Sequence, residues 1–237
     1  MTIDITIPVL NEEETLEKQV KILHQYVCND FPDQSSWKII IADNGSTDET
    51  ENIGKRLEEE LGNVYFLKVP KRGVGLALKT SWGQSDADIV GYMDLDLATS
   101  LVHFKEAIDA LKAGYDIVYG SRLHKNSKVI NRTFKRELAS RVFNGLLKSY
   151  LKVGFSDGMC GFKWLKREKF APLMAAGADN DGWFFSTELL TTAEWLNYKL
   201  FELPVKWTDD VSSSKVKVLP LAKKYILSMI ELKKRKP

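Results

Sequence analysis

Cysteine is scarce in this sequence of 237 residues, and long apolar runs are missing. The two cysteines, Cys28 and Cys160, are too few for a disulfide framework and lack the spacing of metal ligands. No run approaches the ~18 apolar residues that a membrane-spanning helix needs. The first residues also lack the basic and apolar regions of a signal peptide. These absences predict a cytoplasmic protein, kept in a reducing compartment.

An excess of charge of one sign is missing as well. The 34 basic and 32 acidic residues leave a net charge of +2, which argues against a nucleic-acid partner. The charges are nevertheless sorted along the chain. Residues 1–121 hold 11 basic and 21 acidic residues, whereas residues 122–169 hold 13 and 3. This division suggests an anionic ligand held between the two segments, or else two solvated faces of opposite sign.

Short runs rich in β-branched residues alternate with stretches of helical periodicity in the first half of the chain. The runs predict strands, and the stretches predict helices, of which the second is expected to be capped by Ser46 or Thr47. Such alternation is typical of an α/β protein whose mostly parallel sheet is covered by helices on both faces. Ligands of such sheets bind beyond the carboxyl ends of the strands. The predicted strands cover residues 3–9, 37–42, 64–69, 89–93 and 117–119.

The second half of the chain begins with a long basic helix, predicted at residues 131–153. Its apolar residues recur every four positions and are expected to pack in the interior: Phe134, Leu138, Val142 and Leu146. We expect one domain over residues 1–215, followed by a basic amphipathic helix over residues 216–237. The other predicted elements are strands at 162–165 and 199–205 and helices near 167–176 and 186–197.

Two carboxylates, Asp94 and Asp96, directly follow the apolar strand at residues 89–93. If the chain turns there, both can face a cleft and share a divalent cation such as Mg²⁺ or Mn²⁺, which prefers carboxylate, water and phosphate oxygens. A D-x-D pair also occurs in many surface turns. Its position at a strand end favours the metal site.

Two further turns follow predicted strands. Asp43 opens the turn Asp43-Asn-Gly-Ser-Thr-Asp48, where it can accept hydrogen bonds from a nucleoside, although the same residues are good turn and cap formers. The run Gly73-Val-Gly75-Leu-Ala77 begins like a dinucleotide fingerprint. Because Leu78 stands at its third glycine position, a nicotinamide-binding enzyme is disfavoured.

These motifs, together with the segment Thr6–Glu14, resemble family 2 glycosyltransferases in order and spacing. The resemblance implies the GT-A fold, a single α/β domain that binds a nucleotide-sugar. Motifs of the second half resemble the polyprenyl-phosphate branch, and most of all its dolichyl-phosphate glucosyltransferases. They are Gly120-Ser-Arg122, the segment Asp157–Lys163, Trp183-Phe-Phe-Ser-Thr-Glu188 and Leu203-Pro-Val-Lys-Trp207.

The resemblance implies a role for each of several residues. Asp94 and Asp96 would bind the metal, and Arg122 and Arg136 would hold phosphate charge. Asp157 and Glu188 are the candidate catalytic carboxylates. The donor would be bound by Pro8, Leu10, Asn11, Glu12, Asp43, Gly73, Gly75 and Asp94.

The sequence departs from the family pattern in places. Leu10 stands where an aromatic residue is usual, Asn44 replaces a second Asp, and Ala98 stands where the mannosyl enzymes carry a Gln. The runs Asp94-Leu-Asp-Leu-Ala-Thr99 and Met159-Cys-Gly-Phe-Lys163 are closer to the glucosyl type, which favours UDP-glucose as the donor, with GDP-mannose as the alternative. The expected activity is metal-dependent, inverting transfer of the hexose to a polyprenyl phosphate.

The chemistry of the acceptor separates this activity from its rivals. A lipid monophosphate is largely ionised at pH 7, since its second pKa is ~6, so it needs cations to position it rather than a general base. A saccharide hydroxyl would instead require a carboxylate base, for which Asp157 and Glu188 are the candidates. An inactive module that only binds a nucleotide-sugar is the third alternative.

A polyprenyl phosphate lies in a membrane, so we expect a peripheral protein on the cytoplasmic face. The helix predicted from residue 219 has an apolar face and ends in Lys-Lys-Arg-Lys, which suits an anionic membrane surface. The alternatives are that this face packs on the domain or docks on a small membrane-protein partner.

Overall fold

The computed structural model describes residues 1–208 and 218–236 of an α/β protein. The strands of this part of the chain are β1 (Ile3–Val9), β2 (Trp37–Asp43), β3 (Val64–Lys68), β4 (Ile89–Met93), β5 (Ile117–Ser121), β6 (Lys128–Ile130), β7 (Phe162–Lys166), β8 (Leu200–Pro204) and β9 (Lys206–Thr208). Its α-helices are α1 (Leu16–Asp30), α2 (Thr50–Glu60), α3 (Val74–Gln84), α4 (Val102–Lys112), α5 (Phe134–Leu151), α6 (Phe170–Ala175), α7 (Phe185–Trp195) and α8 (Val218–Lys234).

Seven strands form one sheet in the order β3-β2-β1-β4-β7-β5-β8. Neighbouring strands are parallel except at β7, which runs antiparallel to both β4 and β5. A second sheet pairs β6 with β9 in parallel. The predicted mostly parallel α/β sheet is confirmed, and so is the strand predicted at 162–165, whereas its antiparallel direction and the small sheet were not predicted.

Helices cover both faces of the main sheet, as predicted. Successive residues of a strand point to opposite faces, so Ile89 and Met93 of β4 enter one core and Val90 and Tyr92 enter the other. The first core takes its helical residues from α1, α2 and α4, and the second from α3, α5, α6, α7 and α8.

The cap predicted for α2 is wrong. The helix begins only at Thr50, and its N-cap residue, Glu49, makes no capping hydrogen bond through its side chain. The Ser46 hydroxyl instead donates to Asp43 Oδ1 at 2.6 Å. Residues 44–49 therefore form a loop at the end of β2 rather than a first helical turn.

The interior packing predicted for the apolar residues of α5 is also wrong. Phe134, Leu138, Val142 and Leu146 are exposed, and the helix buries a different side, with Leu147 and Leu151 in the second core. A period of four shows that residues share a side of a helix, but it does not show which side faces the core.

Helix α8 packs on the domain through Tyr225, Met229 and Leu232, which are buried in the second core. None of the helices in the two described ranges is long and apolar enough to cross a membrane. The predicted boundary between residues 215 and 216 lies outside the described residues.

Candidate active site

Asp94 and Asp96 lie at the carboxyl end of β4, opposite the beginning of β7. The Asp94 amide donates to the carbonyl of Gly161 at 3.2 Å. A Cβ atom at position 161 would stand 1.9 Å from Asp94 Oδ2, so only glycine leaves room for this carboxylate. Burial, together with the negative charge of Asp96, raises the pKa of Asp94 to about 7.

A tight turn after β4 presents the second carboxylate. Leu97 has a φ of +51° and its amide donates to the carbonyl of Asp94, while the amide of Ala98 donates to Asp96 Oδ1 at 3.0 Å. Asp96 is exposed and Asp94 is half-buried. The predicted pair therefore stands at the rim of the site, at the edge of the sheet where ligands bind.

The donor set at this turn suits a cation that shares its ligands with a substrate. In the two described ranges, no group of three or more His, Cys, Asp and Glu side chains is placed to hold a metal alone. Mg²⁺ and Mn²⁺ are commonly held by one or two carboxylates, with waters and substrate phosphates completing the shell. Asp94 and Asp96 fit that arrangement, and a cation would offset the repulsion that raises the pKa of Asp94.

Asp43, at the end of β2, carries a carboxylate oxygen without a protein partner. Its Oδ1 accepts hydrogen bonds from the amide of Ser46 at 3.0 Å and from the hydroxyl of Ser46. Its Oδ2 is buried and makes no hydrogen bond within the described residues. Because buried polar atoms are nearly always hydrogen-bonded, this oxygen calls for a donor that the described residues do not supply.

Asn44 joins three loops around that carboxylate. Its side-chain amide donates to the carbonyl of Val9 at 2.7 Å, and its Oδ1 accepts from the amide of Gly73 at 3.2 Å. An aspartate has no hydrogen to donate to the carbonyl of Val9. The departure from the family pattern therefore has a local structural reason.

The predicted donor residues of the first loop lie beside this turn. Asn11 adopts a φ of +55°, and its Oδ1 accepts from the amide of Thr47 at 2.8 Å. The Glu12 amide donates to the hydroxyl of Thr50 at 2.8 Å. Pro8 and Leu10 are partly exposed at the same strand end. The structure thus gathers these residues near Asp43, and their contact with the donor stays a prediction.

The two predicted glycines have a packing role. A Cβ atom at Gly73 would stand 2.3 Å from the carbonyl oxygen of Asp181, and one at Gly75 would stand 2.1 Å from that of Asn180. The amide of Leu76 donates to the same Asp181 carbonyl at 3.0 Å. The glycines let the first turn of α3 approach the loop at residues 180–181 closely. Their role in donor binding stays a prediction.

Arg122, at the end of β5, is bound at two points by Asp157. Its Nε donates to one carboxylate oxygen at 2.8 Å and its Nη2 donates to the other at 2.9 Å. Burial alone would raise the pKa of Asp157, but the Arg122 charge and hydrogen bonds outweigh it and lower this pKa to about 2. Asp157 therefore holds Arg122 in place and is a poor proton acceptor at neutral pH.

Glu188, the other candidate base, is also engaged by an arginine. It is buried in α7, and its two oxygens accept from the amide of Asn180 at 2.6 Å and from Arg235, directly after α8, at 2.8 Å. Burial raises its pKa despite these contacts. Glu188 thus joins the loop before α7 to the last described helix.

The sequence analysis assigned no role to Arg132, nor to Trp207, which ends the run Leu203-Pro-Val-Lys-Trp207. The guanidinium carbons of Arg122 and Arg132 lie 5.5 and 5.8 Å from the Trp207 ring, which both can contact by cation–π interaction. β9, which carries Trp207, is joined to the turn after Asp96 because Thr208 donates from its amide to the carbonyl of Ala98. Only the density of basic residues in 122–169 pointed to Arg132.

A cavity of about 490 Å³ opens beside Arg122. The side chains from α5 that line it are Glu137 and Arg141, on the turn after Arg136. The remaining lining residues are Leu123, His124, Lys125, Ser127 and Val129. Its basic side chains suit an anionic group. Arg122 lines this cavity, whereas Arg136 lies in the first turn of α5, and the binding of phosphate by either residue stays a prediction.

Lys163, which ends the segment Asp157–Lys163, is another residue to which the sequence analysis assigned no role. Its buried Nζ donates to the carbonyl of Cys160 at 2.7 Å, to the hydroxyl of Ser186 at 2.6 Å and to the carbonyl of Gly158 at 3.3 Å. Burial lowers its pKa to about 8. Lys163 thus joins the loop between Asp157 and Gly161 to α7. This contact holds in place the loop whose two ends contact Arg122 and Asp94.

Comparisons with known proteins agree with this geometry. Residues 4–173 match the family model described as Glycosyl transferase family 2. Glycosyltransferase AglD of Haloferax volcanii is 32% identical over 207 residues, which are 86% of this chain and 33% of that protein. Dolichyl-phosphate beta-glucosyltransferase ALG5A of Trichomonas vaginalis is 29% identical over 229 residues, covering 93% of this chain and 70% of the relative.

A solved structure shares the fold over the whole chain. It is glucosyl-3-phosphoglycerate synthase from Mycobacterium tuberculosis in complex with Mn²⁺, UDP and glucosyl-3-phosphoglycerate. Its TM-score is 0.67 at 19% identity, with 100% of this chain and 81% of that chain covered. The predicted GT-A fold is confirmed, and the chain belongs to the family 2 glycosyltransferases.

Proposed function

We propose that this protein transfers glucose from UDP-glucose to a polyprenyl phosphate, with inversion and with a divalent cation, on the cytoplasmic face of a membrane. One observation carries the proposal: the Asp94–Asp96 pair and the Arg122 cavity share the loop between Asp157 and Gly161. A site for a cation-bound diphosphate thus adjoins a site for a second anion. The dolichyl-phosphate beta-glucosyltransferases among the relatives support the choice of acceptor.

The donor half of the proposal rests on Asp43 and the D-x-D turn. The unpartnered Oδ2 of Asp43 is suited to accept the ring N–H of a uracil, and the synthase complex with UDP and Mn²⁺ supports a uridine nucleotide. Asp94 and Asp96 would hold the cation. When bound, the cation offsets the charge of the diphosphate and stabilises it as the leaving group.

The acceptor half rests on the cations around the cavity. A phosphate monoester is already a nucleophile at pH 7, so the protein needs only to desolvate it and aim it at the sugar carbon. Arg122, held by Asp157 and stacked on Trp207, is a preorganised donor for this purpose. A direct attack from the cavity onto the bound sugar inverts the configuration at that carbon.

The state of the two candidate bases favours a phosphate over a saccharide hydroxyl. A hydroxyl acceptor needs a carboxylate that is free to take its proton. Asp157 is paired with Arg122 and Glu188 with Arg235. Both carboxylates are therefore better suited to positioning arginines than to accepting a proton.

The test is a transfer assay with UDP-glucose and GDP-mannose, each offered to a polyprenyl phosphate and to a free saccharide, with Mn²⁺ or with chelator. We expect transfer from UDP-glucose to the lipid phosphate only, and only with the cation. Transfer to the saccharide alone would favour a hydroxyl acceptor. Binding of UDP-glucose without turnover on any acceptor would indicate an inactive nucleotide-sugar module.

A further inference from the structure

Helix α5 carries a ridge of exposed apolar side chains that the catalytic site does not use. Phe134, Leu138, Val142 and Leu146 are 79%, 51%, 56% and 45% exposed. Residues four apart lie on the same side of a helix, so the four form one ridge about 18 Å long. We call them the α5 ridge. Contiguous apolar surface of this kind marks a docking site more often than single exposed residues do.

The α5 ridge is not the core-facing side of the helix. That side is formed by Asn144, Leu147 and Leu151, which are buried. A third side packs on α8, where Phe143 meets the Tyr225 ring at 5.4 Å between centroids and Lys233 lies 4.0 Å from the ring centre of Tyr150. The helix is thus held on two sides, and within residues 1–208 and 218–236 the ridge is left uncovered.

The charges beside the α5 ridge are basic. Lys135, Arg141 and Lys148 are exposed on the same helix. Glu137, the one acidic residue in the sequence of α5, is paired with Arg132 at 3.0 Å and with Arg141 at 2.6 Å. An apolar ridge flanked by exposed lysine and arginine is complementary to a bilayer that contains anionic lipid, since the apolar residues enter the acyl boundary and the cations meet the headgroups.

The α5 ridge also adjoins the cavity beside Arg122. Glu137 and Arg141 line that cavity, and they alternate along α5 with the ridge residues Leu138 and Val142. A surface on which the ridge rests therefore lies next to the mouth of the cavity. A phosphate at the level of the headgroups could enter it without leaving the membrane interface.

We infer that the α5 ridge, with Lys135, Arg141 and Lys148, is the surface by which this protein docks on an anionic lipid bilayer. Helix α8 plays a smaller part, because Tyr225, Met229 and Leu232 pack against the domain, and only Ile226 and Leu227 among its described apolar side chains are exposed. The inference rests on the proposed function for its choice of a membrane surface, but the two are tested separately, since docking is measured with no donor or acceptor present.

The test is co-sedimentation of the full chain with vesicles of phosphatidylcholine, with and without phosphatidylglycerol. The double variant Leu138→Gln/Val142→Gln removes half of the ridge at positions where a polar residue is readily solvated. We expect its affinity for anionic vesicles to fall by about tenfold to a hundredfold, since each of the two side chains contributes up to about a factor of ten when it is buried. The matched control is Ile22→Gln/Val102→Gln, which changes two exposed residues of α1 and α4.

A second variant, Lys135→Glu/Lys148→Glu, tests the charges without touching the ridge. We expect it to weaken binding to anionic vesicles, to leave weak binding to phosphatidylcholine unchanged, and to flatten the salt dependence. Circular dichroism checks that each variant is folded. If the ridge variant binds as tightly as the unchanged protein, or if the control loses as much, the inference is wrong. Failure of the unchanged protein to bind either vesicle would equally overturn it and point to a protein partner.

Discussion

The carboxylates on the donor side of the site and those on the acceptor side differ in how far their charge is compensated by the protein. On the donor side, Asp94 has a raised pKa and Asp43 keeps an oxygen with no partner among the described residues. On the acceptor side, the charge of Asp157 is fully met by Arg122, and its pKa is lowered. An uncompensated charge marks where a ligand is expected to supply the missing partner. A compensated charge, such as that of Asp157, marks a structural contact that positions the other residues of the site.

The comparison is tested most severely at Asp96. If the donor side depends on a cation, Asp96→Asn should lower transfer by about a thousandfold or more, as expected when the main electrostatic stabilisation of a leaving group is lost. Folding should be unaffected, because Asp96 is exposed. Initial rates with Mn²⁺ and with chelator measure this effect, and Asp86→Asn, at an exposed position, is the control. Full activity of the variant, or activity that resists the chelator, would remove the cation from the reaction.

On the compensated side, the largest effect should be on stability. Asp157→Asn leaves Arg122 buried with an uncompensated charge, which costs about 3–5 kcal/mol of unfolding free energy. Because the pKa of Asp157 is about 2 in the folded protein and 3.8 ordinarily, its pairing stabilises the fold above pH ~4, and that contribution is lost as the pH falls towards 2. Urea unfolding between pH 7 and 2 should show this loss in the unchanged protein and not in the variant. An equal pH dependence in both would contradict the pairing.

Substitution of Arg122 tests whether this residue serves the acceptor side or the donor side of the site. Arg122→Ala should lower transfer about a hundredfold while UDP binding, followed by calorimetry, changes little. Arg122→Lys should recover only part of the rate, since lysine cannot engage both oxygens of Asp157. Arg56→Lys, on the exposed surface of α2, controls for the substitution itself. An equal loss of UDP affinity would move Arg122 to the donor side.

Asp43→Asn should give the smallest effect. The change places either an N–H or an amide oxygen where the unpartnered carboxylate oxygen now lies, so UDP affinity should fall about tenfold. The unfolding free energy should hold or rise slightly, since a buried charged oxygen is removed. Unchanged UDP affinity in a folded variant would show that the open partner of Asp43 is not the nucleotide.

Much of the fold was accessible from the sequence because its signals are local. β4 was predicted with its observed bounds, since five consecutive apolar residues before Asp94 admit few other interpretations. β6 and β9 have three residues each, too few for a pattern, and they pair across more than seventy residues. The antiparallel direction of β7 likewise depends on its neighbours and not on its own composition.

The same contrast between local signals and long-range contacts applies to the candidate site. Asp43, Asp94 and Asp96 follow strands and were found from position alone. No role was predicted for Arg132, Trp207 or Lys163, because their roles arise from contacts that the fold creates. The α5 ridge was misassigned since α5 has apolar residues on more than one side, and periodicity cannot say which of them finds the core.

The place of β7 has a consequence for how the site comes into being. Until β7 has been made, β4 is the open edge of a four-stranded sheet, and its five residues are all buried in the finished protein. The strand that covers this edge begins at Phe162, well after β4 ends at Met93. During synthesis the edge of β4 therefore stays unpaired until the basic segment has been made. An unpaired apolar edge is prone to aggregation, and pairing between strands so far apart in sequence is slow. When β7 pairs with β4, it also brings Gly161 to Asp94. The surroundings of the Asp94–Asp96 pair are therefore formed only once β7 has joined the sheet.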